Sequence, residues 1–585
     1  MGGKIELLNF YDFEVFCQDW LVVIINPVER SEVVIINDPE KLKEYYEAHK
    51  KEIWVGYNNR RYDQYIMKGI LCGFNPKEIS DFMIAEDKGG WQYSSMMNKI
   101  PMINFDVMLK NDGGLKSLEG FMGNDIQESS VPFDIDRKLT QAEIDETVKY
   151  CRHDVEQTIE VFLNRKEEFD AAMGLVKIFS LPLKFMGKTG AQRVAHILGG
   201  EGVHYHDEME FEIVPTLKLN KYKFIADWYR DPKNRDYKKK QIVEVAGIPH
   251  TFAWGGLHGA PGIIKTNKNG TKSIKATPYC DEGIFLMADV TAYYPSLQLR
   301  YKFGYRNMGN AENFEKIHGE NLRLKKIDKK ARLPYKIADN AISGQLKDKN
   351  SGLYDPRDNN AITVNGQLLL LDLIEKLEPH IEKLVQSNTD GILIKLRSLD
   401  DYDKVDDIVW EWEQRTGMRM GFDIYTKVFQ KDVNNYLLVD AEGNTKVKGA
   451  YTKSLSPLDF DLPIVNKALV DFMKSGIPIE KTVNECDELK MFQKIVKLTG
   501  KYKCVWHNGK SYTEKCFRVF ASRRDFDSYI GKQKSNSVTI EKFANTPEHC
   551  FIDNTDVNGK SVPRKLDKQW YISLAKERLK QFGVI

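Results

Sequence analysis

The sequence predicts a multidomain protein, an α/β domain first and α+β domains after it. Three observations carry this. A chain of 585 residues exceeds what one hydrophobic core supports. Up to about residue 170, short apolar runs alternate with helical patterns, which is how an α/β domain reads. Beyond residue 265 the pattern changes to a buried strand, a lysine-rich helical stretch and one long amphipathic helix. With 42% hydrophobic and 29% charged residues, a disordered or fibrous chain is excluded.

Taken in order, strands are expected within residues 4–36: the alternation around Leu7, Asn9 and Tyr11, then Trp20 to Ile25, then Glu32 to Ile36. Pro39 to Lys51 reads as a helix and Ile53 to Tyr57 as a short strand. Helical patterns follow at Arg61–Leu71 and, strongly, at Gln141–Glu168. Residues 176–250 read as mostly helical, broken by the Lys/Arg-rich run from Asp231 to Lys240, and the Gly-rich Phe252–Gly259 marks a boundary region within 252–264. The continuous apolar run Ile284 to Val290 is a buried strand. Glu312–Leu346 is helical and basic, with a break at Leu333-Pro334. Ala361–Gln386 reads as a long amphipathic helix, Ile392–Leu396 as a strand, and Gln569–Phe582 as a helix that docks the C-terminus. There is no internal repeat and no low-complexity segment.

No apolar run reaches the roughly 18 residues of a membrane span, and the first residues form neither a signal peptide nor a myristoylation site. Eight cysteines lie far apart with no Cys-x-x-Cys pair, which points to a reducing cytoplasm and away from zinc or a disulfide framework. The net charge of +2 hides an asymmetry. Residues 1–175 carry 20 Lys+Arg against 32 Asp+Glu, whereas the remainder carries 66 against 52. The basic remainder is suited to a polyanion.

Asp12 and Glu14 are alternate residues at the end of a strand and so share one face. Asp63 follows Asn59-Arg-Arg-Tyr62 after the next short strand, and Tyr150 and Asp154 share a helix face. Four converging carboxylates can hold two divalent cations at a phosphodiester, and the Tyr150 hydroxyl could orient an attacking water. Taken singly, each acid is an ordinary solvated or capping residue. As an ordered set, Asp12/Glu14, Asn59-x-x-Tyr62-Asp63 and Tyr150-x-x-x-Asp154 resemble the signature of the DEDD-type 3′–5′ exonucleases, in the form with tyrosine in the third part. That resemblance implies an RNase H-like domain. Ser117-Leu118-x-x-Phe121 is similar to a single-strand-binding motif of proofreading domains; its plain alternative is a helix start with Ser117 as cap.

A second constellation follows. Asp289 ends the apolar strand and leads into Tyr294-Pro295-Ser296; Asp390 lies in Asn388-Thr389-Asp390-Gly391, which by itself is a hairpin signal. Between them Lys336, Asn340 and Ser343/Gly344 share one helix face, where a lysine can meet phosphates and a glycine admits close approach. These segments resemble motifs A, B and C of family B DNA polymerases, in the family's order. The resemblance covers residues 5 to about 455 and implies two-metal nucleotide addition at Asp289 and Asp390, with the Val290 carbonyl as a further ligand. It also implies triphosphate binding by Lys336 and Asn340, aided by a cation from the preceding helix, for which Arg323 is the candidate. Tyr294 takes the place of the steric gate that excludes a ribose 2′-hydroxyl.

Departures from the family are Asn388 for the usual first aspartate and Gly391 for serine in motif C, Ala292 for serine in motif A, and Ser343 for an aromatic in motif B. Asn434-Asn435-Tyr436 replaces Lys-x-Tyr, leaving Lys448 as the candidate primer-backbone contact. Trp254-Gly255-Gly256 lies where a connector between two active sites is expected, or is a plain Gly-rich turn.

The resulting division is an exonuclease domain over 1–175, a connector and palm-associated region over 176–265, palm over 266–311 and 347–455, fingers over 312–346, and a basic, aromatic thumb over 456–585. The implied cofactor is Mg²⁺, two ions per active site, with Mn²⁺ able to substitute. The implied partners are primer–template DNA and deoxynucleotides, met by a monomer with no membrane attachment; no accessory replication protein is signalled. The 47 residues from Asp289 to Lys336 leave no room for the extra subdomain of protein-primed phage polymerases. The economy of the chain points to a phage or mobile-element replicase acting in the host cytoplasm. Other readings are an exonuclease with a degenerate polymerase module, a protein-primed polymerase and a non-catalytic DNA-binding scaffold.

Overall fold

The computed structural model describes residues 8–449 and 451–585. The part of the first expected strand at residues 4–7 lies outside them. The protein is a mixed α/β chain that separates into two compact units.

The first unit takes the chain up to Thr189, together with Leu455–Pro463 and Asp487–Lys568. Its leading part holds β1 (Leu8–Val15), β2 (Trp20–Asn26), β3 (Ser31–Ile36), α1 (Pro39–His49), β4 (Ile53–Gly56), α2 (Asp63–Leu71), α3 (Pro76–Ile84), β5 (Ile103–Asp106), α4 (Leu115–Met122), α5 (Gln141–Asn164) and α6 (Lys166–Ile178). The sheet order is β3-β2-β1-β4-β5, antiparallel up to β1 and parallel beyond it. Strand β1 is buried on both faces. Tyr11, Phe13 and Val15 enter one core with residues of α1 to α3, and Phe10 enters the other, where its ring meets Phe162 of α5 at 5.2 Å. Asp12 and Glu14 continue the Phe10 face. Helix α5 begins at a Thr140–Glu143 capping box and runs to Asn164, where Arg165 separates it from α6.

The second unit comprises Gly190–Ser454, Ile464–Cys486 and Gln569–Ile585. It continues with α7 (Gly190–Ile197), α8 (Lys223–Arg230), β6 (Gln241–Val245), β7 (Ile248–Phe252), β8 (His258–Gly259), the hairpin β9 (Gly262–Thr266) and β10 (Lys272–Ala276), β11 (Tyr279–Val290), α9 (Tyr293–Tyr301), α10 (Ala311–Leu324), α11 (Lys329–Gln345), α12 (Pro356–Leu377), β12 (Lys383–Ser387), β13 (Gly391–Leu396), α13 (Asp400–Thr416), β14 (Met420–Asp432), β15 (Asn435–Val439) and β16 (Thr445–Lys448). One nine-stranded sheet, ordered β16-β15-β14-β11-β13-β12-β8-β7-β6, organises it.

Several expectations are corrected here. Residues 176–250 are less helical than expected: Pro, Gly and polar residues leave 198–222 without regular helix or strand, and 241–252 forms the β6–β7 hairpin. The Gly-rich 252–264 stretch lies inside the second unit, whose first segment begins at Gly190. The basic helical stretch breaks at 325–328, where Asp328 caps α11 by accepting from the N–H groups of Lys330 and Ala331. Pro334 lies within α11, in its second turn, where it gives up the hydrogen bond to the Lys330 carbonyl without ending the helix. The long helix stops at Leu377, ahead of Pro379; Lys383–Ser387 is a strand paired with β13, and α12 is buried on nearly every face rather than amphipathic.

The last part contains α14 (Pro463–Ser475), α15 (Ile479–Glu485), β17 (Lys494–Lys497), β18 (Tyr502–His507), β19 (Lys510–Tyr512), β20 (Cys516–Ala521), β21 (Gly531–Lys534), β22 (Ile540–Lys542), β23 (Cys550–Ile552) and α16 (Lys568–Phe582). Two small sheets, β17-β20-β23 and β19-β18-β21-β22, enclose a shared core of Val496, Val505, Phe517, Val519 and Phe543. The stretch expected as a thumb is thus divided, with 487–568 in the same unit as the N-terminal sheet. Arg518 fastens it there. Fully buried, Arg518 donates to the carbonyls of Asn124 at 2.7 Å, Gly120 at 3.2 Å and Thr555 at 2.6 Å, and to Gln493 Oε1 at 3.0 Å. Among the described residues no helix is long and apolar enough to cross a membrane.

Removing Arg518 strands the buried acceptors Gln493 Oε1 and the Gly120 carbonyl. Arg518→Met is expected to destabilise the first unit by on the order of 3 kcal/mol, read from denaturant melts; a loss under about 1 kcal/mol would show that the clamp does not hold the β module.

Candidate active sites

In the first unit the chain brings the predicted acids together. Asp12 and Glu14 project from the end of β1 toward α5, where Cys151 donates its S–H to the Asp12 carbonyl at 3.3 Å. Asp63, the first residue of α2, accepts the Phe13 N–H at 3.2 Å, which ties α2 to β1. Asp154 and Tyr150 lie one turn apart on α5. Glu14, Asp63 and Asp154 are buried and Asp12 is half-buried.

Such crowding raises proton affinity. Asp12 and Glu14 stand well above the ordinary carboxylate range, through burial first and then neighbouring charge, chiefly Asp63 on Asp12 and Asp154 on Glu14. Burial lifts Asp63 to about 7 against its backbone N–H donors. Burial lifts Asp154 to about 6, with Lys116 opposing. Burial and the Asp154 charge raise the Tyr150 hydroxyl, keeping it a neutral donor.

Sequence reasoning missed Lys116. Its ammonium pairs with Asp154, donates to Glu119 Oε1 at 3.1 Å and stands 4.6 Å from the centre of the Tyr150 ring. Burial works against that charge, but Asp154 and Glu119 outweigh it and hold the ammonium above its usual value. A cation therefore already rests on the acids, and carboxylates short of positive charge are a donor set that suits Mg²⁺ or Mn²⁺. The signal available in the sequence was Gly113-Gly114 ahead of Leu115-Lys116, a turn that delivers a lysine at the start of a helix.

The expected strand-binding residues sit differently. Asn59 is fully buried and donates to Asn104 Oδ1 at 2.9 Å and to the Phe105 carbonyl at 3.2 Å. It fastens the β4–α2 loop to β5 and presents no surface to DNA. Ser117 is not the helix cap, which is Gly114. Ser117 and Leu118 are buried, Leu118 in the core and Ser117 toward Cys516 of β20, while Phe121 is half-buried. A methyl group on Gly120 would come within 2.8 Å of Ile495 Cδ1, so α4 lies flush against the β17–β20 sheet. Leu118 is covered by the N-terminal core, and Ser117 and Phe121 meet the C-terminal β module.

In the second unit β11 and β13 are antiparallel neighbours with Asp289 opposite Gly391, which sets Asp390 at the tip of the β12–β13 hairpin beside Asp289. The hairpin signal and the site are one feature. The Val290 N–H donates to the Asp390 carbonyl at 2.7 Å and the Asn388 N–H to the Gly391 carbonyl at 2.8 Å, fixing the turn. Burial and then the Asp289 charge raise the Asp390 carboxyl, with Lys448 and Lys446 opposing. Lys446, also missed from the sequence, donates to Asp289 Oδ2 at 2.8 Å and lies 3.8 Å from Asp423 Oδ2. It shares a face of β16 with the exposed Lys448.

Position 391 requires glycine here: a Cβ would lie 2.7 Å from the Ala288 carbonyl oxygen and collide with Asp289 Oδ1. A Cβ on Gly256 would likewise meet Thr389 Cβ at 2.9 Å, so the Trp254–Gly256 loop closes on the same turn. Gln367 of α12 holds that loop through the Ala253 and Gly255 carbonyls, at 2.8 and 2.7 Å. Tyr294, in the first turn of α9, is half-buried, and burial and the Asp390 charge raise its hydroxyl to about 12. Helix α11 packs on α9 and exposes Lys336, Asn340 and Gly344 along one face. Arg323 is exposed and holds Glu320 through two hydrogen bonds of 2.9 and 2.7 Å. Arg332, one turn before Lys336 and braced by Asn321 Oδ1 at 2.8 Å, is a basic residue on that side that sequence reasoning passed over.

No family model matches the chain, and no curated protein matches it. Among solved structures it is similar to the family B DNA polymerase from the hyperthermophilic archaeon Pyrobaculum calidifontis, at 13% identity and a TM-score of 0.41, over 100% of this chain and 79% of that one. A likeness of that size leaves function to be read from the residues.

The acids of the first unit give a pH prediction. A carboxyl whose folded value is raised binds its proton more tightly in the folded state, so its stabilisation is present at low pH and lost as pH rises from about 4 through about 6 to 7. Metal-free protein is expected to melt at a lower temperature at pH 8 than at pH 6. Mg²⁺ should restore the difference at pH 8, and Asp63→Asn should flatten it. A calorimetric melt indifferent to both pH and Mg²⁺ would contradict this geometry.

Proposed function

We propose that this chain is a template-directed DNA polymerase that extends a primer 3′ end with deoxynucleotides and trims that end with a 3′–5′ exonuclease. One observation carries the reading: two separate carboxylate centres, one in each unit, each built at strand ends and each with a lysine ammonium resting on it. Divalent cations bound at such centres would activate an attacking hydroxyl or water and take up charge on the leaving oxygen.

The chain's own residues do the rest. In the second unit Asp289 and Asp390 hold the reacting end, with the Val290 carbonyl beside them. The exposed Lys336 and Asn340 and the half-buried Arg332 line a face of α11 suited to a triphosphate, and Arg323 becomes available to it only by releasing Glu320. Tyr294 walls the sugar position against a 2′-hydroxyl, and Lys446 and Lys448 meet the primer backbone. In the first unit Asp12, Glu14, Asp63 and Asp154 would hold the cations that take up the charge of the scissile phosphate, and the neutral Tyr150 hydroxyl orients the water. Residues 494–542 carry 12 Lys+Arg against 4 Asp+Glu, which supports a polyanion-binding role for the β module. Primer–template DNA and deoxynucleotides are the partners, Mg²⁺ the cofactor, and replication of a phage or mobile element the setting.

The test is a 5′-labelled primer on a longer template with Mg²⁺, run with and without deoxynucleotides. Asp390→Ala is expected to abolish extension and spare trimming, and Asp12→Ala/Glu14→Ala to do the reverse. Trimming without extension under any divalent metal would sink the polymerase reading and leave a nuclease.

Gly391→Ser, which restores the residue usual in family B polymerases, is expected to displace Asp289 and lower extension by on the order of 100-fold. Unchanged extension would show that the turn relaxes to admit a side chain.

A further inference from the structure

Helices α4 and α5 bring a third group of ligands together: Glu119, His153 and Asp154 each offer an atom within 4.8 Å of the other two. Glu119 is fully buried, and only one of its oxygens is hydrogen-bonded; Oε1 accepts from Lys116 and Oε2 has no donor. His153 Nε2 is also buried; it makes no close hydrogen bond and faces that oxygen at 3.6 Å, a loose ion pair when the imidazole is protonated. This separation is too long for a hydrogen bond. It is the spacing of two atoms bound to one ion at about 2.1 Å with an angle of roughly 120° between them. Lys116, bridging Glu119 and Asp154 from the other side, marks the pocket as short of positive charge.

We infer that Glu119, His153 and Asp154 form a binding site for a transition-metal dication of the zinc type, adjoining the Asp12/Glu14/Asp63 group through the shared Asp154. The imidazole gives the site its selectivity. Nitrogen donors favour Zn²⁺, Co²⁺ and similar ions, whereas all-oxygen positions suit Mg²⁺. Glu119 and the His153–Asp154 pair come from different helices, so the ion also pins α4 to α5 beside Lys116. The inference rests on these three side chains and not on the exonuclease reading.

The experiment titrates untagged, chelator-stripped full-length protein with Co²⁺ in excess Mg²⁺, which fills the all-oxygen positions, and reads the visible absorption of nitrogen-ligated Co²⁺. Wild type is expected to bind one equivalent, with the spectrum retained in Asp12→Ala/Glu14→Ala. His153→Ala and Glu119→Gln are each expected to weaken binding at least 10-fold. Absence of the bands in wild type overturns the inference, as do bands that survive His153→Ala. Should buried Glu119→Gln fail to fold, half-buried His153→Ala decides alone. Primer trimming assayed on the same samples separates the two readings: trimming absent with the Co²⁺ bands intact sinks the exonuclease and leaves this site standing.

Discussion

Carboxylates crowded together repel one another, and both centres depend on backbone hydrogen bonds and a lysine to hold them against that repulsion. In the first unit the Phe13 N–H fixes Asp63, while Lys116 takes Asp154. In the second the Val290 N–H reaches the carbonyl of Asp390, and Lys446 takes Asp289. The surrounding architecture serves this restraint. Strand β1 is buried on both faces, so its end cannot fray, and β11 is flanked by β13 and β14 along its apolar length. Asp12, Glu14 and Asp289 sit at the ends of buried strands, with Asp63 and Asp154 brought to them by α2 and α5, and like charge can be stored there until a cation arrives.

Helix α4 links two roles that the sequence kept apart. One side presents Lys116 to Asp154 and Tyr150. Another is pressed against the β module through Gly120, Gln493 and Arg518. A shift in how the β module grips α4 would therefore move the ammonium that balances the acids. The short motif over Ser117–Phe121 is better understood as this packing seam than as an exposed strand-binding surface.

What was legible in the sequence was local and periodic. Alternation announced that Asp12 and Glu14 share a face, helical spacing paired Tyr150 with Asp154, and an apolar run ending in Asp289 announced β11. The hairpin signal at Asp390-Gly391 was also sound, and only the register across β11 shows the turn and the site to be the same residues. What was not legible depended on partners distant in sequence. Nothing near Lys116 reveals that Asp154 needs it, and nothing near Lys446 points to Asp289, 157 residues away. Asn59 looked available because its burial is imposed by β5, and Ser117 because the covering sheet lies about 400 residues on. Pro334 misled for a physical reason: inside a helix a proline forfeits one hydrogen bond, and the packing of α11 on α7, α9 and α10 holds the helix through it.

The first unit is discontinuous: its N-terminal part ends at Thr189 and its β module begins at Asp487. A chain leaving the ribosome at about 5–20 residues per second would hold α4 ready for tens of seconds before the sheet that covers it exists. During that interval the side bearing Ser117 and Phe121 lacks its partners Cys516 and Ile495, and the carbonyls of Gly120 and Asn124 wait for Arg518. The acid-bearing sheet can form early, but its lysine-bearing helix is seated late, by strands made some 300 residues after the rest of the unit.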